Sequence, residues 1–241
     1  MTPLSSVLTR AKESLIVREG AESADLWLWE HSERVMNLAQ MLALLPEIGP
    51  ERPDQTIVAV GALFHDAGWA VQLRQGRIDR WHVLSRPTND LQRELGAGEL
   101  RRLLSGVLDA EVIDTAAEAI RQCNDRYTTM VEAQVLAEAE NLDEIGLMYV
   151  LRQFRQYQAE GRPLEQLILS WSRQLEYHYW DARINDCLRF PTSHRLARER
   201  LKVVEQFMSA LAGDREAADL RRALRAAGID GAADTLQPTQ A

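Results

Sequence analysis

Apolar residues recur at intervals of three and four through most of the chain, while alternating runs rich in Val, Ile and Thr are almost missing. That period is the helical one and predicts an all-α protein. Ala24 to Leu45 carries Leu26, Trp29, Val35, Leu38, Ala39 and Leu42, and Pro46 then stops the helix. Pro50, Pro53 and Asp54 make a turn, after which Thr56 to Phe64 is apolar on almost every face and belongs in a core. Gly68 is expected to end that helix. Gln72 to Asn89, with Gly76, Arg77, Asp79, Arg80 and Pro87, reads as a long irregular connection of the kind that often carries function. Further helices are expected over Asp90 to Leu104, Asp109 to Cys123, Thr129 to Glu160, Pro163 to Arg183 and His194 to Ala212. There is no internal repeat and no low-complexity linker. The pattern predicts one helical domain over residues 1–213, then a short helix over Arg215 to Ala227 and a frayed tail from Asp230 to Ala241.

Composition narrows the function classes. The 241 residues are 46% hydrophobic and 27% charged, an ordinary globular balance for a chain long enough to bury a substantial core. A net charge of -8 argues against a broad nucleic-acid surface or an anionic-membrane surface, and leaves room for a local basic pocket. Met1 to Gly20 lacks the apolar core and cleavage site of a secretory signal, and no later run approaches the ~20 apolar residues of a membrane span. Cys123 and Cys187 show neither zinc-knuckle nor disulfide spacing. A cytoplasmic setting is therefore expected.

Metal-assisted hydrolysis needs imidazole and carboxylate ligands that converge from different segments and leave positions open for water and substrate. Three places can supply them: His31, the doublet His65-Asp66, and the acidic stretch Glu138-Ala139-Glu140-Asn141-Leu142-Asp143-Glu144. Adjacent helical residues point about 100° apart. At a helix end, however, both can reach a cation beyond the last turn. An acid at the C-terminus of an apolar helix is disfavoured by the macrodipole, and a nearby cation would compensate it.

His31 followed by Arg34-Val35, an apolar helix ending in His65-Asp66 with Gly68 after it, and Ala139-Glu140-Asn141-Leu142-Asp143 on a later helix together resemble the HD-domain superfamily of metal-dependent phosphohydrolases. The nearest likeness is to its small bacterial members, which often carry Asp-Ala-Asp-Arg-Leu-Asp in the third segment. Pro191 to Leu211 resembles their terminal helix, so the likeness spans roughly Ala24 to Leu211. The resemblance implies a compact helical bundle with a metal site between central helices. It places the ligands on His31, His65, Asp66 and Glu140, with Asp143 as the fallback for the last. Glu140 departs from the family's Asp by one methylene. Two histidines that many members use for a second metal fall near Gln92 and on Cys123, neither of them His, so one divalent ion per chain is expected: Mn, Co, Ni, Fe or Mg. The family's Lys after the His-Asp-x-Gly motif is Trp69 here.

The implied reaction is hydrolysis of a phosphate ester or anhydride in a small molecule, a nucleotide being the favoured class. Asp66 or Asp143 would take a proton, and Arg34, Arg77, Arg80 and His82 are the candidate substrate contacts. The oligomeric state is left open, with six tryptophans leaving room for the apolar interface of a homo-oligomer. The alternatives are a degenerate domain that binds metal or nucleotide as a sensor, an oxidase with a diiron centre, and a helical scaffold. The missing inner histidines count against the oxidase. His178 and His194 read as structural.

Overall fold

The computed structural model describes residues 3–19, 23–49 and 52–229. Pro50 and the tail expected from Asp230 to Ala241 lie outside those residues. The architecture is all-α, with helices α1 (Pro3–Leu15), α2 (Trp27–Leu42), α3 (Gln55–Phe64), α4 (Ala67–Arg74), α5 (Asp90–Leu104), α6 (Ala110–Gln122), α7 (Val131–Asp143), α8 (Leu147–Ala159), α9 (Leu164–Glu176), α10 (Tyr179–Cys187), α11 (Pro191–Arg215) and α12 (Ala218–Ala226). A two-strand antiparallel hairpin, β1 (Val17–Glu19) and β2 (Ser23–Asp25), joins α1 to α2. Neither α1 nor the hairpin was expected from the pattern.

At the centre is α3. Its N-cap Asp54 accepts bonds from the amides of Thr56 and Ile57 at 2.7 and 3.1 Å, satisfying two of the donors a helix start leaves unpaired. Every residue from Val58 to Phe64 is buried, because α2, α6 and α7 pack around the helix. Continuing into α4, the stretch Gln55–Arg74 is long and apolar enough to cross a membrane, contrary to the expectation that no run would be. Most of it is buried inside the fold, as a central core helix should be.

Four expected boundaries change. Gly68 does not end a helix: it lies in the first turn of α4, which occupies the start of the region read as a loop. The expected helix Thr129 to Glu160 is two helices, broken at Gly146, whose φ of 125° is open to glycine and costly for other residues. Pro163 to Arg183 likewise splits into α9 and α10 at His178, in the left-handed region with φ 52°. At the C-terminal end, α11 runs to Arg215, and α12 packs on it with no buried residue.

Helices α8, α9 and α10 form a second layer, locked by Tyr149, Trp171 and Trp180, with the Tyr149 and Trp180 rings 4.8 Å apart edge to face. The tryptophans expected to leave an apolar interface are mostly packed inside. Trp29, Trp69, Trp171 and Trp180 are all buried.

Buried Glu99 on α5 ties α1 and α4 to that helix by accepting from Ser14 at 2.8 Å, from Arg74 and from Arg102. Burial opposes its ionisation, but the bonds from Arg102 and Ser14 and the charge of Arg74 outweigh it, and its pKa is lowered. A lowered carboxyl pKa stabilises above the unfolded value and ceases to do so as pH falls through the folded one. Glu99→Gln is expected to lower Tm at pH 7 by about 2–4 °C, the response of a domain this size to roughly 1 kcal/mol. The deficit should narrow below pH 4; a deficit independent of pH would rule out the charge as its source.

Candidate metal centre

His31 projects from α2, and His65 and Asp66 occupy the two-residue break between α3 and α4. That break reverses the helix-dipole argument for the doublet. Asp66 is the N-cap residue of α4, so it faces the positive end of one helix as it leaves the negative end of another. The break is held by α5, which crosses it backbone to backbone: a Cβ on Gly96 would lie 2.8 Å from the Phe64 carbonyl oxygen and 3.2 Å from that of His65. Only glycine allows that approach.

The three side chains are buried together, with one ligand atom from each lying within 4.8 Å of the others. The Nε2 atoms of His31 and His65 are 3.2 Å apart, and Asp66 Oδ2 lies 3.1 Å from the first and 3.5 Å from the second. His65 Nδ1 donates to the Ala62 carbonyl at 2.7 Å, and His31 Nδ1 donates to Asp143 Oδ2 at 2.7 Å. Both imidazoles therefore turn the lone pair of Nε2 toward the same point, beside a carboxylate oxygen. A proton or a metal ion can meet facing lone pairs in a buried site, and two imidazoles with a carboxylate are a donor set that could hold a divalent transition metal. Burial works against the charged form of each group. The bonds from Asp143 and Asp66 outweigh it for His31, raising its pKa, while His65 and His31 outweigh it for Asp66, lowering its carboxyl pKa.

A supporting shell completes the site. Asp66 Oδ1 accepts from the Thr88 hydroxyl, which accepts from Trp69 Nε1 at 2.9 Å. Trp69, standing where the family's Lys was sought, anchors Asp66 through Thr88. Asp143 lies on the outer nitrogen of His31 and is gripped by Arg34 through Nε at 2.8 Å and Nη2 at 3.2 Å. Burial opposes the ionised form of Asp143, and the bonds from His31 and Arg34 overcome it and lower its pKa.

The acidic stretch on α7 organises arginines. Glu140 holds Arg93 of α5 at 3.0 Å, and Glu144 holds Arg152 of α8 and Arg183 of α10. Glu140, expected as the fourth ligand, thus sits on a guanidinium and outside the His31, His65 and Asp66 group. Four guanidiniums (Arg34, Arg93, Arg152 and Arg183) face four carboxylates (Asp66, Glu140, Asp143 and Glu144), so with neutral imidazoles a divalent ion leaves a charge of about +2. Beside the cluster is a cavity of about 430 Å³ lined by Thr88, Arg93, Asn124, Asn141, Glu144 and Arg183 among others. That is the size of a small-molecule site.

The loop candidates are elsewhere. Arg77 and His82 are exposed, and His82 pairs with Asp79 at 2.8 Å. Arg80 lies over the Trp81 ring, and its carbonyl accepts from Arg155 at 2.9 Å. None of the three lines the cavity, and Arg34 opens instead onto a separate, more apolar one with Arg200. Thr88, Arg93, Arg152 and Arg183 were not anticipated. Arg93 had a usable signal: it shares a helix face with Ala97, Leu100 and Leu104, where a charge is out of place unless a partner meets it.

The geometry separates two acids. Asp143→Asn removes the carboxylate that fixes the His31 tautomer and is expected to weaken metal binding by about 10–100-fold. Glu140→Gln should cost much less. Competitive metal titration checks this, and a larger loss in the Glu140 variant would restore Glu140 as the fourth ligand.

The HD domain family model matches residues 28–171, more than half of the chain. Three solved structures of the Bacillus subtilis protein YpgQ share the fold. One is 23% identical, with a TM-score of 0.58, and covers 89% of this chain and 97% of its own. YpgQ in complex with ADP is 22% identical, with a TM-score of 0.55, covering 87% and 96%. The selenomethionine form is 21% identical, with a TM-score of 0.56, covering 89% and 96%. No curated protein matches the chain significantly.

Proposed function

Because the chain belongs to the HD-domain family, we propose that it is a metal-dependent phosphohydrolase acting on a small phosphorylated molecule, with nucleotides the favoured class. The observation that carries the proposal is the convergence of His31 Nε2, His65 Nε2 and Asp66 Oδ2 inside a ring of guanidiniums. A divalent ion held by these three residues would polarise a phosphoryl oxygen and lower the pKa of a bound water toward neutrality. Arg183 lines the cavity and is pinned by Glu144, so its remaining donors are already placed for phosphate oxygens, while Arg93, buried in the cavity wall against Glu140, adds positive charge. Asp143 positions His31 through Nδ1, which leaves Asp66 as the acid nearest the chemistry. The ADP bound by YpgQ, a protein of the same fold, supports a nucleotide as ligand.

The test is to purify the chain, measure its bound metal, and screen nucleoside mono-, di- and triphosphates for release of phosphate or pyrophosphate with Mn, Co, Ni or Mg. Metal-dependent release is expected. Metal or nucleotide binding without release under any condition would assign a sensor instead, the reading favoured by the occupation of Glu140 by Arg93.

A further inference from the structure

Arg93 is a charged side chain only 2% exposed, at the N-terminal end of a helix face that otherwise carries Ala97, Leu100 and Leu104. Burying a guanidinium is costly unless its surroundings meet its charge and its donors. Here Nη2 donates to both Glu140 oxygens at 3.0 Å and to Asn124 Oδ1 at 2.6 Å, and Nη1 lies 2.6 Å from Cys123 Sγ. Buried Nε has no partner. A carboxylate, an amide oxygen and a thiol drawn around one guanidinium are donors of the kind that hold a divalent transition metal when no side-chain cation stands between them. The guanidinium also acts on the neighbouring centre, since its charge favours the ionised form of Asp66.

We propose that Arg93 is a built-in cation that closes the Glu140, Cys123 and Asn124 donor set to metal, so that the chain holds one divalent ion where an open pocket would hold two. The proposal depends on the metal reading of His31, His65 and Asp66 only for the count of ions in the wild type. Burial pushes the Cys123 thiol up to about 12, so with Arg93 in place it stays a neutral acceptor. Without Arg93, Glu140 is left as an uncompensated, partly buried charge beside a thiol that a metal can deprotonate.

The experiment saturates wild type, Arg93→Ala, Arg93→Lys and the double variant Arg93→Ala/Cys123→Ser with Co(II), desalts them, and measures metal per chain with the near-ultraviolet absorption that marks cobalt bound to thiolate. One ion and no thiolate band are expected for wild type and for Arg93→Lys, which keeps the charge. Arg93→Ala should gain an ion and show the band, and the double variant should lose the band. If Arg93→Ala does not fold without metal, refolding in Co(II) is the same test, with the extra ion and the band again expected. An unchanged ion count without a band, or failure to refold with cobalt, overturns the proposal. The two readings fail separately. A wild type without metal beside an Arg93→Ala protein with one ion and the band would sink the His31 centre and keep this inference, whereas one ion in both would do the reverse.

Discussion

Replacing His65 with alanine, or Asp66 with asparagine, is expected to strip the chain of divalent metal and to lower metal-dependent turnover on the order of 10²–10³-fold or more, the scale set by losing a preorganised charge at the reacting phosphoryl group. The two substitutions act differently on the fold, which is why both are needed. His65 is fully buried and anchored to the Ala62 carbonyl, so its truncation opens a cavity as well as removing a ligand. Asp66→Asn keeps the size of the side chain and an oxygen to accept the Thr88 hydroxyl, so it removes chiefly the negative charge beside the two Nε2 atoms. Metal content by elemental analysis, circular dichroism and turnover are measured together. Asp66→Asn should fold as the wild type does and lose the metal. Full metal content in that variant would show that the cation sits elsewhere and that the three side chains form only a buried hydrogen-bond cluster.

The parts of the site legible in the sequence were those set by local pattern. An apolar helix ending in His65-Asp66 announces itself because nothing from Ile57 to Phe64 on α3 needs water until the doublet, and His31 lies on an amphipathic helix that must face it. The third segment was misread in its role because its chemistry depends on partners far away in sequence. Glu140 meets Arg93 across 47 residues, Glu144 meets Arg183 across 39, and Asp143 meets Arg34 across 109. A run of acids gives no local sign of whether each will face a metal, a guanidinium or water. Helix breaks were missed where a single residue with positive φ decides the matter, as at Gly146 and His178. The short helix α4 was hidden because Gly68, the usual mark of a helix end, serves close packing here. The loop arginines and His82 drew notice through composition alone, and the ones that reach the centre come from helices in both layers of the fold.

Gly68→Ala is expected to be the most damaging single-methyl change in the protein, costing several kcal/mol of stability and the metal with it. A Cβ at position 68 would lie 2.0 Å from the Gln92 carbonyl oxygen and 2.7 Å from its carbonyl carbon, distances that no rotamer change relieves because every atom involved is backbone. Either α4 or α5 must move. Asn89 and Gln92 form the capping box that starts α5, and Thr88, just before it, holds Asp66; Arg93, just after, holds Glu140. A shift of α5 therefore pulls Asp66 and the buried Arg93 out of register at once. Gly98, six residues after Gln92 on the same helix, has open space where a Cβ would go. Gly98→Ala should stabilise by about 0.5–1 kcal/mol, the ordinary helix-propensity difference. Urea denaturation of the two variants with and without metal makes the comparison. If Gly68→Ala unfolds at the wild-type midpoint, the backbone contact between α4 and α5 does not set the geometry of the doublet, which would then rest on the bonds to Thr88 and Ala62 alone.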